Sequence, residues 1–162
     1  RRQGAAVRRR VGFVFSDPDA QIVMPTVAEA VAYSLRGVPA DERAAVVRRA
    51  LAARGLAEHA DHPALLRAGG EMLRLARSSV LAAGPRLVVA DEPTTLLDLR
   101  NTRRVAAELA SLPQQVVLVS HDLALMDAMD RVLVVDGGRV VADDAPGPAV
   151  AHYRRLVDAG PG

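Results

Sequence analysis

The sequence predicts an α/β domain with a mostly parallel sheet and a helical subdomain, and three observations carry that prediction. Two apolar runs, residues 86–91 and 115–120, are separated by a helical pattern over residues 99–111. Strand, helix, strand with strands apolar along their whole length is the pattern of a buried parallel sheet. Residues 27–35, 41–55 and 71–83, in contrast, carry helical spacing. Finally, 162 residues at 50% hydrophobic content suffice for one sizeable core and are few for two.

The elements follow in order. Val11-Gly12-Phe13-Val14-Phe15 is β-prone and is closed by the turn-forming Ser16-Asp17-Pro18-Asp19. Residues Val27 to Leu35 predict a short helix with Thr26 as N-cap. Asp41 is expected to cap a second helix, in which Ala44, Val47 and Leu51 share a face, Arg48 and Arg49 turn to solvent, and Gly55 ends the run. From Glu71 to Ala83, Met72, Leu75, Ala76, Val80 and Leu81 recur at helical spacing until Gly84-Pro85. Both strands of the parallel unit are expected to be buried. Arg131 to Val135 and Arg139 to Ala142 flank Asp136-Gly137-Gly138, a hairpin signal, and a terminal helix is expected after Pro148. The expected organisation is a helical region over about 20–83, a catalytic sheet over 84–146 and a C-terminal helix over 147–162.

Composition narrows the function. The aromatic fraction is 2%, too low for stacking on nucleobases to be a main binding mode, so no nucleic-acid partner is expected. All 21 basic residues are arginine, set among 19 acids, which reads as an ion-paired, solvated surface. Cysteine is absent, which excludes disulfides and thiolate metal sites. No apolar run approaches the roughly 20 residues of a membrane span.

The chemistry concentrates at two strand ends. The run Leu87-Val88-Val89-Ala90 delivers Asp91 and Glu92 at its carboxyl end, where open parallel sheets place their ligands. A carboxylate there can hold Mg²⁺ while its neighbour orients or deprotonates an attacking water. Acidic strand ends are also common for solvation alone, so the pair needs support. The next strand supplies it by ending in Ser120-His121-Asp122, which brings a histidine beside the carboxylates if the two strands are neighbours. Upstream, Gly69 and Gly70 stand at a helix start, where backbone N–H groups can face a phosphate, although by themselves they are explained as well by a flexible turn before a helix.

Taken together, these segments resemble the motifs of ABC-type ATPases. Asp91-Glu92 with its apolar strand is similar to the Walker B motif, Thr95-Leu96-Leu97-Asp98 to the D-loop and His121 to the switch histidine. Arg67-Ala68-Gly69-Gly70-Glu71 resembles the signature sequence, and residues 14–22 resemble the Q-loop region. Five motifs stand in the family's order over nearly the whole chain. The wording Phe15-Ser16-Asp17-Pro18-Asp19-Ala20-Gln21-Ile22 and residues 94–101 resemble most closely the ATPase subunits of cobalt- and biotin-type energy-coupling factor transporters.

The resemblance implies a partial P-loop NTPase domain that binds ATP and Mg²⁺. It implies Glu92 and His121 as catalytic residues, Asp91 at the metal, and Ser16, Ala68, Gly69, Gly70, Glu71 and Asp98 around the nucleotide, some of them across a dimer interface. It further implies a second ABC ATPase subunit, a transmembrane coupling subunit and a substrate-binding membrane subunit as partners, and a cytoplasmic position on the inner face of the membrane.

Three departures qualify it. The P-loop, Gly-x-x-x-x-Gly-Lys-Ser/Thr, needs a lysine, and the chain has none. The expectation is therefore an N-terminally truncated domain; the alternative is a degenerate, catalytically incompetent subunit acting only as an interaction module. Ser16 stands where the family has the Q-loop glutamine, and a serine hydroxyl is too short for the same reach. Ala68 replaces the signature serine and Arg67 the leucine. Loss of a hydrogen bond to a charged group costs about 1.5–3 kcal/mol, leaving phosphate contact to the backbone amides.

Overall fold

In the computed structural model, described for residues 10–16, 24–35, 38–53, 55–64, 69–95 and 97–160 with Gly4 and Val7, the expected architecture is present. A three-stranded sheet is formed by β1 (Val11–Val14), β2 (Leu87–Asp91) and β3 (Gln115–Val119). The order is β1-β2-β3 and both pairings are parallel, with Val14 opposite Ala90 and Asp91 opposite Val119. A separate antiparallel hairpin joins β4 (Val132–Asp136) to β5 (Arg139–Asp144). Its turn residues Gly137 and Gly138 both have positive φ, 52° and 74°, the backbone that two-residue hairpins demand and glycine adopts without steric cost.

The helices are α1 (Val27–Ser34), α2 (Ala40–Ala52), α3 (Gly69–Ala82), α4 (Leu99–Ala110) and α5 (Pro146–Ala159). Thr26 caps α1 as predicted and forms a full capping box with Glu29: its hydroxyl accepts from the Glu29 amide at 3.3 Å, and the Glu29 carboxylate accepts from the Thr26 amide at 3.1 Å. Helix α2 differs from expectation. Its N-cap is Pro39, not Asp41, because proline's fixed φ suits a helix start and moves the boundary upstream. Asp41 and Glu42 then sit in the first turn, facing the positive end of the dipole. Ala44 is exposed; the buried stripe is Val47, Ala50 and Leu51. Helix α5 likewise begins earlier than predicted, at Pro146.

Three apolar clusters organise these elements. Val27, Val31, Leu35, Val47, Leu51, Leu56, Ala64 and Leu75 form a helical core shared by α1, α2 and α3. Val14, Val88, Ala90, Val105 and Leu109 pack one face of the sheet under α3 and α4. Leu125, Met126, Val132, Val134 and Ala149 unite the hairpin with α5 and the 3₁₀ segment Leu123–Ala128. Helix α3 belongs to two clusters, Leu75 to the helical core and Val80 and Leu81 to the sheet.

Strand β3 corrects a further expectation. Its residues alternate between half-buried and exposed, and Val117 and Val119 are exposed. The register explains the pattern: Phe13, Val89 and Val117 form one row on the face opposite the helices, and that face is open. A wholly apolar strand was read as covered on both faces, whereas β3 is covered on one.

Candidate functional site

The carboxyl ends of the three parallel strands converge, and the ladder sets the convergence. Asp91 pairs with Val119, and the next residue extends the pairing, since the Glu92 amide donates to the Val119 carbonyl at 2.8 Å. Glu92 therefore lies across from Ser120 and His121. On the other side Val14 pairs with Ala90, so Ser16, two residues beyond β1, leaves the sheet at the same end and is half-buried.

Glu92 has a φ of 47°, the only positive value at a non-glycine residue among those described. Such backbone costs of order 1–3 kcal/mol and persists only where the surroundings impose it. Here they do so through the side chain. One carboxylate oxygen accepts from the His121 amide at 2.9 Å and pairs with His121 Nδ1 at 2.8 Å. The other accepts from the Ser120 hydroxyl at 3.2 Å and the Thr95 hydroxyl at 3.4 Å. Pro93 and Thr94, directly after Glu92, are buried and fix the chain as it leaves β2.

The electrostatics follow from this geometry. Burial pushes the Glu92 carboxyl upward, but the hydrogen bonds from the His121 ring and amide, the histidine's charge and the Ser120 hydroxyl outweigh it. The carboxyl thus lies below its ordinary value. His121 moves the opposite way: its hydrogen bond to Glu92 and the carboxylate's charge raise it, against a small opposing desolvation. Both shifts favour the ionised pair. Glu92 keeps 26% of its side-chain exposure and His121 keeps 76%, so the pair is sheltered on the carboxylate side and open on the imidazole side.

Asp91 is exposed at the end of β2. Its carboxylate presents hard oxygen donors at that end of the sheet, the donor chemistry that suits Mg²⁺. Asp98 caps α4: one oxygen accepts from the Asn101 amide at 2.8 Å and the other from the Asn101 side-chain amide at 3.1 Å. Gly69, Gly70 and Glu71 form the first turn of α3, on a different element from the carboxylate pair. Ala68, with residues 65–67, lies outside the described residues, as do residues 17–22 and Leu96.

The structure thus brings Glu92, His121 and Asp91 to one sheet end, with Ser16 leaving the sheet beside them. It adds Ser120 and Thr95, whose hydroxyls were not singled out from the sequence. Ser120 carried a readable signal, since a polar residue between an apolar strand and His121 has to face the neighbouring strand end. Thr95 carried none without the left-handed backbone at Glu92.

Comparison with known proteins converges on one family. No protein-family model matches the chain. An ABC transporter ATP-binding protein of Deinococcus radiodurans is 46% identical over 156 residues, covering 95% of this chain and 69% of that protein. The biotin transport ATP-binding protein BioM of Rhizobium etli is 40% identical over 148 residues, covering 90% of this chain and 66% of its own length. Among solved structures, cbiO1 of Clostridium perfringens, part of the ABC transporter complex cbiONQ, superposes with a TM-score of 0.82 at 27% identity, covering 98% of this chain and 66% of that one. With a 46% identical relative matched over more than two thirds of its length, and an ABC ATPase fold matched along nearly the whole chain, this chain belongs to the ATP-binding proteins of ABC transporters.

Proposed function

We propose that this chain supplies the water-activating half of an ATPase site in an energy-coupling factor importer that takes up a vitamin or a metal ion. The observation that carries the reading is the Glu92 carboxylate, held in left-handed backbone by four donors with His121 at its mouth. The names of two relatives point to the transporter class: BioM of Rhizobium etli is a biotin transport protein, and EcfA1 of Caldanaerobacter subterraneus, 36% identical, belongs to an energy-coupling factor transporter.

In this reading Glu92 orients a water molecule and accepts its proton as attack on the γ-phosphate begins. Its lowered pKa keeps it ionised, so the carboxylate can accept a hydrogen bond from that water. His121, bound to the same oxygen, gives up that contact to reach the terminal phosphate, and a protonated ring there offsets phosphate charge. Ser120 and Thr95 hold the other oxygen, so the carboxylate keeps its direction when His121 turns away. Asp91 is the residue that would hold Mg²⁺, whose chemistry is to neutralise charge on the phosphate oxygens, with Ser16 on the nucleotide side of the same sheet end. Gly69 and Gly70 offer backbone amides at the start of α3, and Asp98 stands at the start of α4; both helix starts act across the interface with a second ATPase subunit. The protein works at the inner face of the membrane on transmembrane partners, and among the described residues no helix is long and apolar enough to cross a membrane itself.

The test is turnover in the assembled transporter. Glu92→Gln keeps shape and hydrogen-bonding capacity but cannot take a proton, so hydrolysis should fall by at least about 10²-fold, the lower range for loss of a general base, while Mg-ATP binding persists. Unchanged turnover would overturn the assignment.

A further inference from the structure

Away from the strand ends, His59 and His62 meet on the surface of the helical subdomain. The meeting follows from local geometry. Residues Ala57–His59 form a 3₁₀ turn that continues as a turn through Asp61, with the His59 amide donating to the Leu56 carbonyl at 3.1 Å and the His62 amide to the His59 carbonyl at 3.0 Å. In 3₁₀ backbone, side chains three residues apart eclipse one another. The two rings accordingly lie 5.1 Å apart between centroids, tilted by 48°, and their Nδ1 atoms are 3.3 Å apart.

That separation is informative. Zinc bound by imidazole has Zn–N distances of about 2.0–2.1 Å, and two nitrogens on a tetrahedral ion at that distance are about 3.3–3.4 Å apart. The pair is also held in place by backbone contacts independent of the rings. The Val27 amide donates to the His62 carbonyl at 3.2 Å, the Ala28 amide to the Ala60 carbonyl at 2.8 Å and the Ala64 amide to the Pro25 carbonyl at 2.9 Å, so residues 60–64 are strapped along the start of α1. Leu56 and Ala64, on either side, are buried in the helical core. The ligands are thus presented by a backbone that the fold fixes.

We propose that His59 and His62 form a two-imidazole binding site for a divalent transition-metal ion of the zinc, nickel and copper class. Imidazole nitrogen suits these ions and not magnesium or calcium, which take oxygen ligands. Among the described residues no third histidine, cysteine or carboxylate joins a cluster that could hold a metal. The described residues therefore provide two ligands, and the remaining coordination positions are open to other donors. Without an ion, one ring donates its Nδ1 proton to the other; on binding, that ring carries its proton on Nε2 instead, so both Nδ1 lone pairs face the ion and no net proton is released. The site is independent of the ATPase reading.

The experiment is a titration of the 162-residue chain with Zn²⁺ alone, by calorimetry and by the imidazole ¹H–¹⁵N resonances of its histidines. The expected result is one ion per chain, with the His59 and His62 signals moving together. Loss of an outer-shell partner alone costs about 10–100-fold in metal affinity, so His59→Gln or His62→Gln should weaken binding by at least about tenfold. His152→Gln should leave it unchanged. Far-UV circular dichroism confirms that the variants are folded, and the resonances of the unsubstituted chain give an answer that does not depend on them. His59 and His62 signals unmoved at saturating Zn²⁺, or binding that both variants retain, would overturn the proposal.

Discussion

At Glu92 and His121 two opposite pKa shifts come from one contact, and this fixes a pH window. Glu92 is lowered from its ordinary 4.5, so its contribution to stability is present above that value and is lost as pH falls through the lowered one. His121 is raised from 6.5, so its contribution is full below 6.5 and is lost as pH rises through the raised value. Chemical denaturation across pH should therefore show stability declining as the pH climbs past 6.5, and Glu92→Gln should flatten that decline. An NMR titration of the same variant should place His121 closer to its ordinary value; a pKa that stays raised would mean that Glu92 is not the cause. The pair was legible in the sequence because two consecutive apolar runs each end in a functional group. The left-handed backbone at Glu92 was not. Nothing in Asp91-Glu92-Pro93 distinguishes it from an ordinary turn until the donors from β3 are in place.

Single elements show where local signals suffice and where packing decides. The capping box of α1 was half visible as Thr26, and its reciprocal half, Glu29, follows from the three-residue spacing. Thr26→Ala should cost about 1 kcal/mol in urea unfolding, since it strands the Glu29 amide. The start of α2 was misplaced by two residues because Asp41 is a good N-cap in isolation, while Pro39 before Ala40 opens the helix sooner. Gly12 is an element-scale constraint of a different kind. A Cβ there would collide with Cγ1 of Val80 and lie 3.1 Å from Cγ of Pro85. Strand β1 approaches the end of α3 at this point, and Gly12→Ala should cost about 1–3 kcal/mol by overpacking. An unfolding midpoint equal to that of the parent would show that the two elements are not so close.

On the scale of the whole molecule, the three clusters do not share one boundary, and α3 ties the helical core to the sheet. Fold class and the site end of the sheet were readable from periodicity, because strand, helix, strand admits few topologies; the strand order β1-β2-β3 came from the structure. Which face of β3 is covered was not readable, since an all-apolar strand carries no alternation to mark a side. The register now separates the two faces. Val88 is fully buried under α3 and α4, whereas Val117, on the neighbouring strand and the other face, is 43% exposed, with Phe13 at 48% and Val119 at 53% along the same side. Threonine matches valine in shape and in strand preference, so it tests burial alone. Val88→Thr places a hydroxyl in an apolar cluster and should cost about 1–3 kcal/mol. Val117→Thr with Val119→Thr should stay within about 0.5 kcal/mol of the parent, as exposed sites do. It should also reduce self-association in sedimentation, because it interrupts a contiguous apolar surface of the kind that drives proteins together. Equal costs at Val88 and Val117 would show that the outer face of the sheet is covered in solution.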